Sequence, residues 1–221
     1  HLVVQGKIIA DTDGQEILVD GSSVLNHGTL GAANGGSLRL AGLEPNAGIL
    51  DAGAGGVIRI DGDFTNSALG TVRIAVLGDQ PSQYGRVEVG GTAHLGGTLD
   101  LKGTLRFNGA DIVNVGSDVT LDGASARIVD QSAQDGLRNA AAVNSGGALK
   151  IKNGYNLTPA GNFDVQSGGT FDVGAGSRLT VETGDVFTAQ SGSTFANIAP
   201  TTTGGEIVVR GQVRTAQREQ L

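Results

Sequence analysis

The chain contains no cysteine, no methionine and no tryptophan. Without cysteine there is no disulfide framework and no thiolate metal site. Only four prolines accompany 38 glycines in 221 residues, and the glycines have no three-residue period, which excludes a collagen helix. No apolar run approaches the ~18 residues that a membrane-spanning helix requires. Positive charge is scarce: 15 Lys and Arg face 22 Asp and Glu, a formal charge of −7. With no basic stripe, nucleic acid is not an expected partner. Neither a Gly-x-Ser-x-Gly nucleophile turn nor a P-loop occurs. Aromatic rings for sugar stacking are few, the tyrosines being Tyr84 and Tyr155.

What remains is glycine and aliphatic side chains. Apolar residues make up 38% of the chain, enough for a core and too many for a disordered segment. Val, Ile and Gly together favour strands and turns over helices. Their order is periodic. Phe163, Phe171, Leu179, Phe187 and Phe195 recur every eight residues, and Gly168, Gly176, Gly184 and Gly192 keep the same interval. Val165, Val173, Val181 and Ala189 follow two positions after the large residues, across mostly polar intervening positions. Such alternation is a short half-buried strand, and the glycine that follows is a turn able to adopt positive φ. Strands this short bury their apolar side only when stacked in coils, as in a β-solenoid. The spacing predicts that the five large residues stack rung above rung.

A second repeat is longer. Asn26-x-Gly28-Thr29-Leu30 is matched twenty positions on by Asn46-x-Gly48-Ile49-Leu50, Leu38-Arg39-Leu40 by Ile58-Arg59-Ile60, and Gly42 by Gly62. This is one coil of a parallel β-helix with Leu38 over Ile58 inside and Arg39 beside Arg59 outside, at the ~4.8 Å inter-strand spacing. The asparagine that opens each unit suits the left-handed region and can bond nearby backbone through its amide. Asn66 continues the series, but Ala68 replaces the expected glycine. A third interval, of six, separates Gly91, Gly97, Gly103 and Gly109. It fits either a tighter coil or alternating strands with short turns. Ser132 to Val143 alone does not read as strand. Asp135 could cap a short helix there, or the segment is an irregular loop outside the coils.

The expected fold is all-β: a right-handed parallel β-helix of ~20-residue coils with one short helical or irregular insertion. Residues 1–110 form a first solenoid segment and 111–215 a second, continuous with it; 216–221 read as a frayed tail. The abrupt start at His1 in strand-like sequence reads as a piece of a longer protein.

Candidate chemistry is thin. Asp11, Asp13 and Glu16 have a spacing compatible with a weak calcium site, but too few ligands for an EF-hand loop. Gly53 to Asp61 lacks the order of a calcium nonapeptide. Asp51, Asp61 and Asp63, or Asp164 stacked near Asp172, could supply the carboxylate pair of a sugar hydrolase; outward carboxylates also simply keep a solenoid soluble. His1, His27 and His94 are too scattered for a metal motif, with His94 expected to point outward. Thr92, Thr98, Thr104 and Thr170, with Thr180, Thr188 and Thr194, lack the order of a flat threonine face. The expectation is therefore no catalytic residue, no cofactor and no metal.

Several motifs carry a likeness. These are Phe64-Thr65-Asn66, Gly70-Thr71, and the run Tyr84-x-x-Val87-x-Val89-x-Gly91-Thr92-Ala93-x-Leu95-Gly96-Gly97-Thr98-Leu99. Phe107-x-Gly109-x-Asp111-Ile112, Val119-x-Leu121-Asp122-Gly123 and Gly136-Leu137-Arg138-Asn139 extend it. From about Ser23 to Val213 the chain resembles the passenger and repeat regions of large bacterial autotransporter-like surface adhesins. The resemblance implies an extracellular or cell-surface location and a non-catalytic role as β-helical stalk or binding surface. The expected partners are host or neighbouring-cell surface ligands, polysaccharide, and further modules of the same chain, without membrane insertion. The alternatives are a carbohydrate-active β-helix and a self-associating fibre subunit. Binding would sit on a lateral strand face or on the loops Gly78–Gly85 and Ser132–Val143.

Overall fold

The structure, a computed structural model, describes residues 1–77, 80, 83–198 and 205–215. Among these, regular structure is β-strand, and no α-helix occurs. The chain divides into two compact units: His1–Ala110 with Ser125–Asp135, and Asp111–Ala124 with Gly136–Leu221. Each is a parallel β-solenoid, with about 22 residues to a turn.

In the first unit the coils build two long faces and a short third one. One face runs through Glu16–Asn26, Ser37–Leu43, Val57–Ile60, Arg86–Val89, Thr104–Phe107 and Arg127–Val129, every neighbour parallel. A second joins Lys7–Ala10, Thr29–Ala32, Ile49–Ala52, Thr71–Ile74 and Thr98–Leu101. The third carries Phe64–Asn66 beside Ala93–Leu95. The second unit repeats the plan. Its faces are Asp118–Asp122, Ala148–Lys152, Thr170–Gly174 and Thr194–Ile198; Asn156–Leu157, Arg178–Val181 and Glu206–Val209; and Asn114–Val115, Ala142–Val143, Phe163–Val165, Val186–Ala189 and Gln212–Thr215.

The register corrects the meaning of the short periods. Phe163 lies beside Phe187, twenty-four residues on, and Phe171 beside Phe195. The octad is thus one face, and three octads complete a coil. Phe163 meets Phe171 edge-on across the coil at 5.1 Å and stacks on Phe187 at 6.3 Å. Phe187 and Phe195 close the four-ring cluster at 5.3 Å. The large residues therefore occupy three columns, not one. The six-residue interval is the same device on a smaller scale. Val87, Ala93, Leu99 and Leu105 fall on four successive strands, and Arg86 lies beside Thr104, eighteen residues on. The tighter coil is the correct reading. Gly168, Gly176, Gly184 and Gly192 all take positive φ, between 71° and 98°, as a turn glycine should.

The interior is columnar. Leu38, Ile58, Val87, Leu105 and Ile128 succeed one another in register, all buried. Leu30, Leu50, Val72 and Leu99 form a parallel column on the second face. Beside them runs a polar one. Asn26, Asn46 and Asn66 are fully buried, and Asn26 Nδ2 donates to Asn46 Oδ1 at 2.7 Å, as Asn46 Nδ2 does to Asn66 Oδ1. Spare protons go to the backbone: Asn46 Nδ2 to the Gly48 carbonyl, Asn66 Nδ2 to those of Gly70 and Gly96. None of the three adopts positive φ. Their role is amide stacking, not the left-handed turn that asparagine also suits.

The Ala68 irregularity has a local solution. Gly70, not residue 68, occupies the place of Gly48: it accepts from Asn66, and Thr71 N–H donates to the Gly48 carbonyl just as Ile49 N–H donates to that of Gly28. Two extra residues are extruded at the corner, where Leu69 stands 81% exposed.

The expected helix near Asp135 does not form. Asp135 instead bridges antiparallel to Val129, and Asp130 Oδ1 accepts the N–H groups of Ser132 and Gln134. In the second unit Leu137, Ala140, Ala142 and Val143 are buried, the last two in a strand. This stretch is part of the coil, not outside it. The Ala-rich run is too short to nucleate a helix, and burial of its apolar residues in the coil outweighs helix propensity.

Replacing Asn46 by Leu strips a donor from Asn66 Oδ1 and the Gly48 carbonyl and an acceptor from Asn26. The expected loss is about 2 kcal/mol or more in urea unfolding, at the cost of leaving buried polar groups unpaired. Phe163→Ala should cost about 3–5 kcal/mol by the same measurement, because a fully buried ring with two ring partners is removed.

Candidate functional site

Outward side chains of the first unit form ion-pair ladders. Arg39 lies beside Arg59, as the repeat predicts. The guanidinium groups diverge: Arg39 Nε reaches Asp61 at 3.0 Å, while Arg59 reaches Glu16 at 3.5 Å, Ser37 Oγ at 2.7 Å and Glu88 at 3.4 Å. Neighbouring coils thus relieve the like-charge contact. These pairs are exposed and each contributes little to stability, roughly 0–1 kcal/mol.

The candidate carboxylates are dispersed by the coil geometry. Asp51 lies on the second face between Gly31 and Arg73 in register. Asp61 is engaged by Arg39. Asp63 accepts both the N–H of Thr92, at 2.8 Å, and its hydroxyl, at 2.9 Å. Asp164 and Asp172 do not stack. Eight residues apart, they occupy adjacent faces, so Asp164 neighbours Ala142 and Thr188, and Asp172 neighbours Lys150 and Ala196. Gln190 donates to Asp164 Oδ2 at 2.6 Å, while Oδ1 is buried without a partner among the described residues.

Other candidates fare similarly. His94 is exposed on its strand, as expected, and His27 is exposed. His1 Nδ1 lies 3.1 Å from Ser23 Oγ. The threonines spread over different faces, with Thr71 beside Thr98 and Thr170 beside Thr194 as isolated pairs. Among the described residues, no three His, Asp or Glu side chains assemble into a metal-holding group. Of the Asp11, Asp13 and Glu16 carboxylates, Glu16 is engaged by Arg59, and Glu16 and Asp13 both line a groove. Of the loop Gly78–Gly85, residues 78, 79, 81 and 82 lie outside the described residues.

That groove, of about 640 Å³, is the feature that sequence reasoning missed. Its floor is a ladder of three two-residue turns, Asp13-Gly14, Asn34-Gly35 and Ala54-Gly55. The turns are linked by Gly14 N–H to the Gly35 carbonyl and Asn34 N–H to that of Ala54. All three glycines have positive φ, between 68° and 81°. The next coil is longer: Val57 lies beside Arg86, twenty-nine residues on, where Ser37 lies beside Val57 after only twenty, and the excess beyond the two residues at the Leu69 corner falls at this corner. The surplus folds back through an antiparallel bridge between Val76 and Tyr84, reinforced by Leu77 N–H to the Gln83 carbonyl. Leu77 and Gln83 line the groove together with the turn ladder, and Glu16, Arg59 and Arg86, from strands, line it as well. The unequal corner lengths were the available signal.

Two carboxyl groups are displaced in opposite directions. The Thr92 N–H and hydroxyl, with a smaller contribution from His94, hold Asp63 below its ordinary value of 3.8 despite slight desolvation. Asp172 is pushed up from 3.8 by burial, and by the nearby Asp118 carboxylate, against a downward pull from Lys150. Lys150 Nζ is itself 3.2 Å from Asp118.

The chain matches no protein-family profile, no curated protein and no solved structure.

The pH consequences have opposite signs. The contribution of Asp63 is present above its ordinary pKa and is lost as pH falls through the depressed folded value, so Asp63→Asn should flatten the acid limb of the thermal-midpoint profile. Asp172 binds its proton more tightly when folded, so its ionisation removes stability as pH rises through the elevated folded value. Asp172→Asn should raise the thermal midpoint at about pH 7 and lose that advantage at about pH 3.

Proposed function

We propose that this chain is a non-catalytic structural and adhesive segment of a secreted or cell-surface bacterial protein, serving as a β-solenoid stalk that presents a lateral binding surface. One observation carries the reading: five outward carboxylates are each held by a side chain one or two coils away. Asp61 goes to Arg39, Asp63 to Thr92, Glu16 and Glu88 to Arg59, and Asp118 to Lys150. Sugar hydrolysis requires two carboxyl groups facing one bond about 5 to 10 Å apart. Asp164 and Asp172 lie on different faces, and Asp51 is beside Arg73. The columnar core and inter-coil backbone pairing suit a load-bearing scaffold. The surface-adhesin likeness of the motifs adds location and partners to this reading: the cell exterior, and surface ligands or polysaccharide.

The competing enzymatic reading is favoured by one detail, the buried Asp164 Oδ1 that has no partner among the described residues. Incubation with neutral and acidic polysaccharides separates the two. The scaffold reading expects no new reducing or unsaturated ends, together with resistance to trypsin under native conditions although Lys and Arg occur in most coils. Turnover abolished by Asp51→Asn or Asp164→Asn would overturn it, as would rapid native cleavage within the strands.

A further inference from the structure

The groove over the turn ladder is constructed, not incidental. Three successive corners are reduced to a two-residue turn with a glycine, and the fourth is lengthened and brings Leu77 and Gln83 to the groove that these turns line. Its volume of about 640 Å³ is within the roughly 300–1,000 Å³ usual for small-ligand sites. Its lining restricts what can enter. Asp13 and Glu16 offset Arg59 and Arg86 in formal charge. Arg59 is already committed to Glu16 and Glu88, whereas the Asp13 carboxylate and the Arg86 guanidinium have no side-chain partner among the described residues. The groove therefore offers one free acceptor group and one free donor group, with Gln15, Asn34 and Gln83 supplying both kinds.

We propose that this groove binds a short neutral oligosaccharide, whose hydroxyls donate to Asp13 and accept from Arg86 while a sugar face packs on Leu77. A strongly anionic ligand is disfavoured by Asp13 and Glu16, and a cationic one by the two arginines. An extended peptide finds no sheet edge to join, because the strands Ser37–Leu43 and Val57–Ile60 are paired on both sides. Leu77, 78% exposed at the lip, is the apolar surface available to a sugar ring in place of an aromatic one. The proposal rests on the scaffold reading only in treating the sugar as bound and not cleaved.

The test is saturation-transfer NMR followed by calorimetric titration of the full chain. The probes are gluco-, galacto-, manno- and xylo-configured trisaccharides, a trigalacturonate and an extended peptide of mixed charge. At least one neutral trisaccharide should bind. Asp13→Asn and Arg86→Gln should each weaken it about tenfold, with thermal midpoints held within about 2 °C. Arg73→Gln, on another face, should leave binding unchanged. Absence of binding by every neutral sugar would overturn the proposal, as would binding indifferent to both groove substitutions or a preference for the trigalacturonate or the peptide. Recovery of cleaved sugar with groove-dependent binding would keep the site and sink the non-catalytic reading. Rapid native proteolysis with binding intact would likewise count against the scaffold alone.

Discussion

Parallel pairing between coils is the constraint from which the rest follows. A strand of three to five residues cannot satisfy its own N–H and C=O groups, so each depends on the strand above and the strand below. That pairing fixes register, and register decides which side chains meet. In the first unit it sets Leu38 over Ile58 over Val87 and Asn26 beside Asn46 beside Asn66. It also brings Arg39 against Arg59, a contact that the sheet tolerates because each guanidinium finds a carboxylate one coil away. Core, amide ladder and surface charge are three readings of one alignment.

The same alignment explains how far the sequence could be read. The solenoid was legible because stacking demands like residues at fixed intervals, and the twenty-residue unit from Asn26 to Asn46 shows the coil directly. Octads and hexads were legible as strands but not as faces. A strand repeat identical on all three sides of a coil conceals the number of sides, and only the Phe163–Phe187 and Arg86–Thr104 pairings disclose it. Asp164 and Asp172 were misjudged for that reason. The stretch around Leu137 misled differently: local propensity favours a turn of helix, and long-range burial overrules it. The groove was invisible because its lining comes from four coils and a lengthened corner, with no residue type distinctive by itself.

The carboxylates illustrate how position within a coil determines chemistry. Asp63 sits at a corner where a free backbone N–H and a hydroxyl converge on it, so its charged form is favoured. Asp172 sits mid-strand on a flat face, where neighbouring coils cover it and desolvation outweighs the attraction of Lys150. Two aspartates of the same unperturbed strength thus respond to acid in opposite ways. The difference was not readable from local sequence, since Thr92 is brought to Asp63 from the following coil, 29 residues away.

The corners have a further consequence. Coils of eighteen, twenty and twenty-nine residues coexist in one unit without disturbing strand register, because surplus chain leaves the stack at the vertices. Leu69 and the Val76–Tyr84 ribbon are two such departures. Length variation is thereby decoupled from the hydrogen-bond lattice, and a vertex can lengthen, shorten or be exchanged while the lattice persists. Such a frame is a natural display platform: foreign segments grafted at Ser67–Leu69 would inherit a fixed position and neighbours without having to contribute to folding.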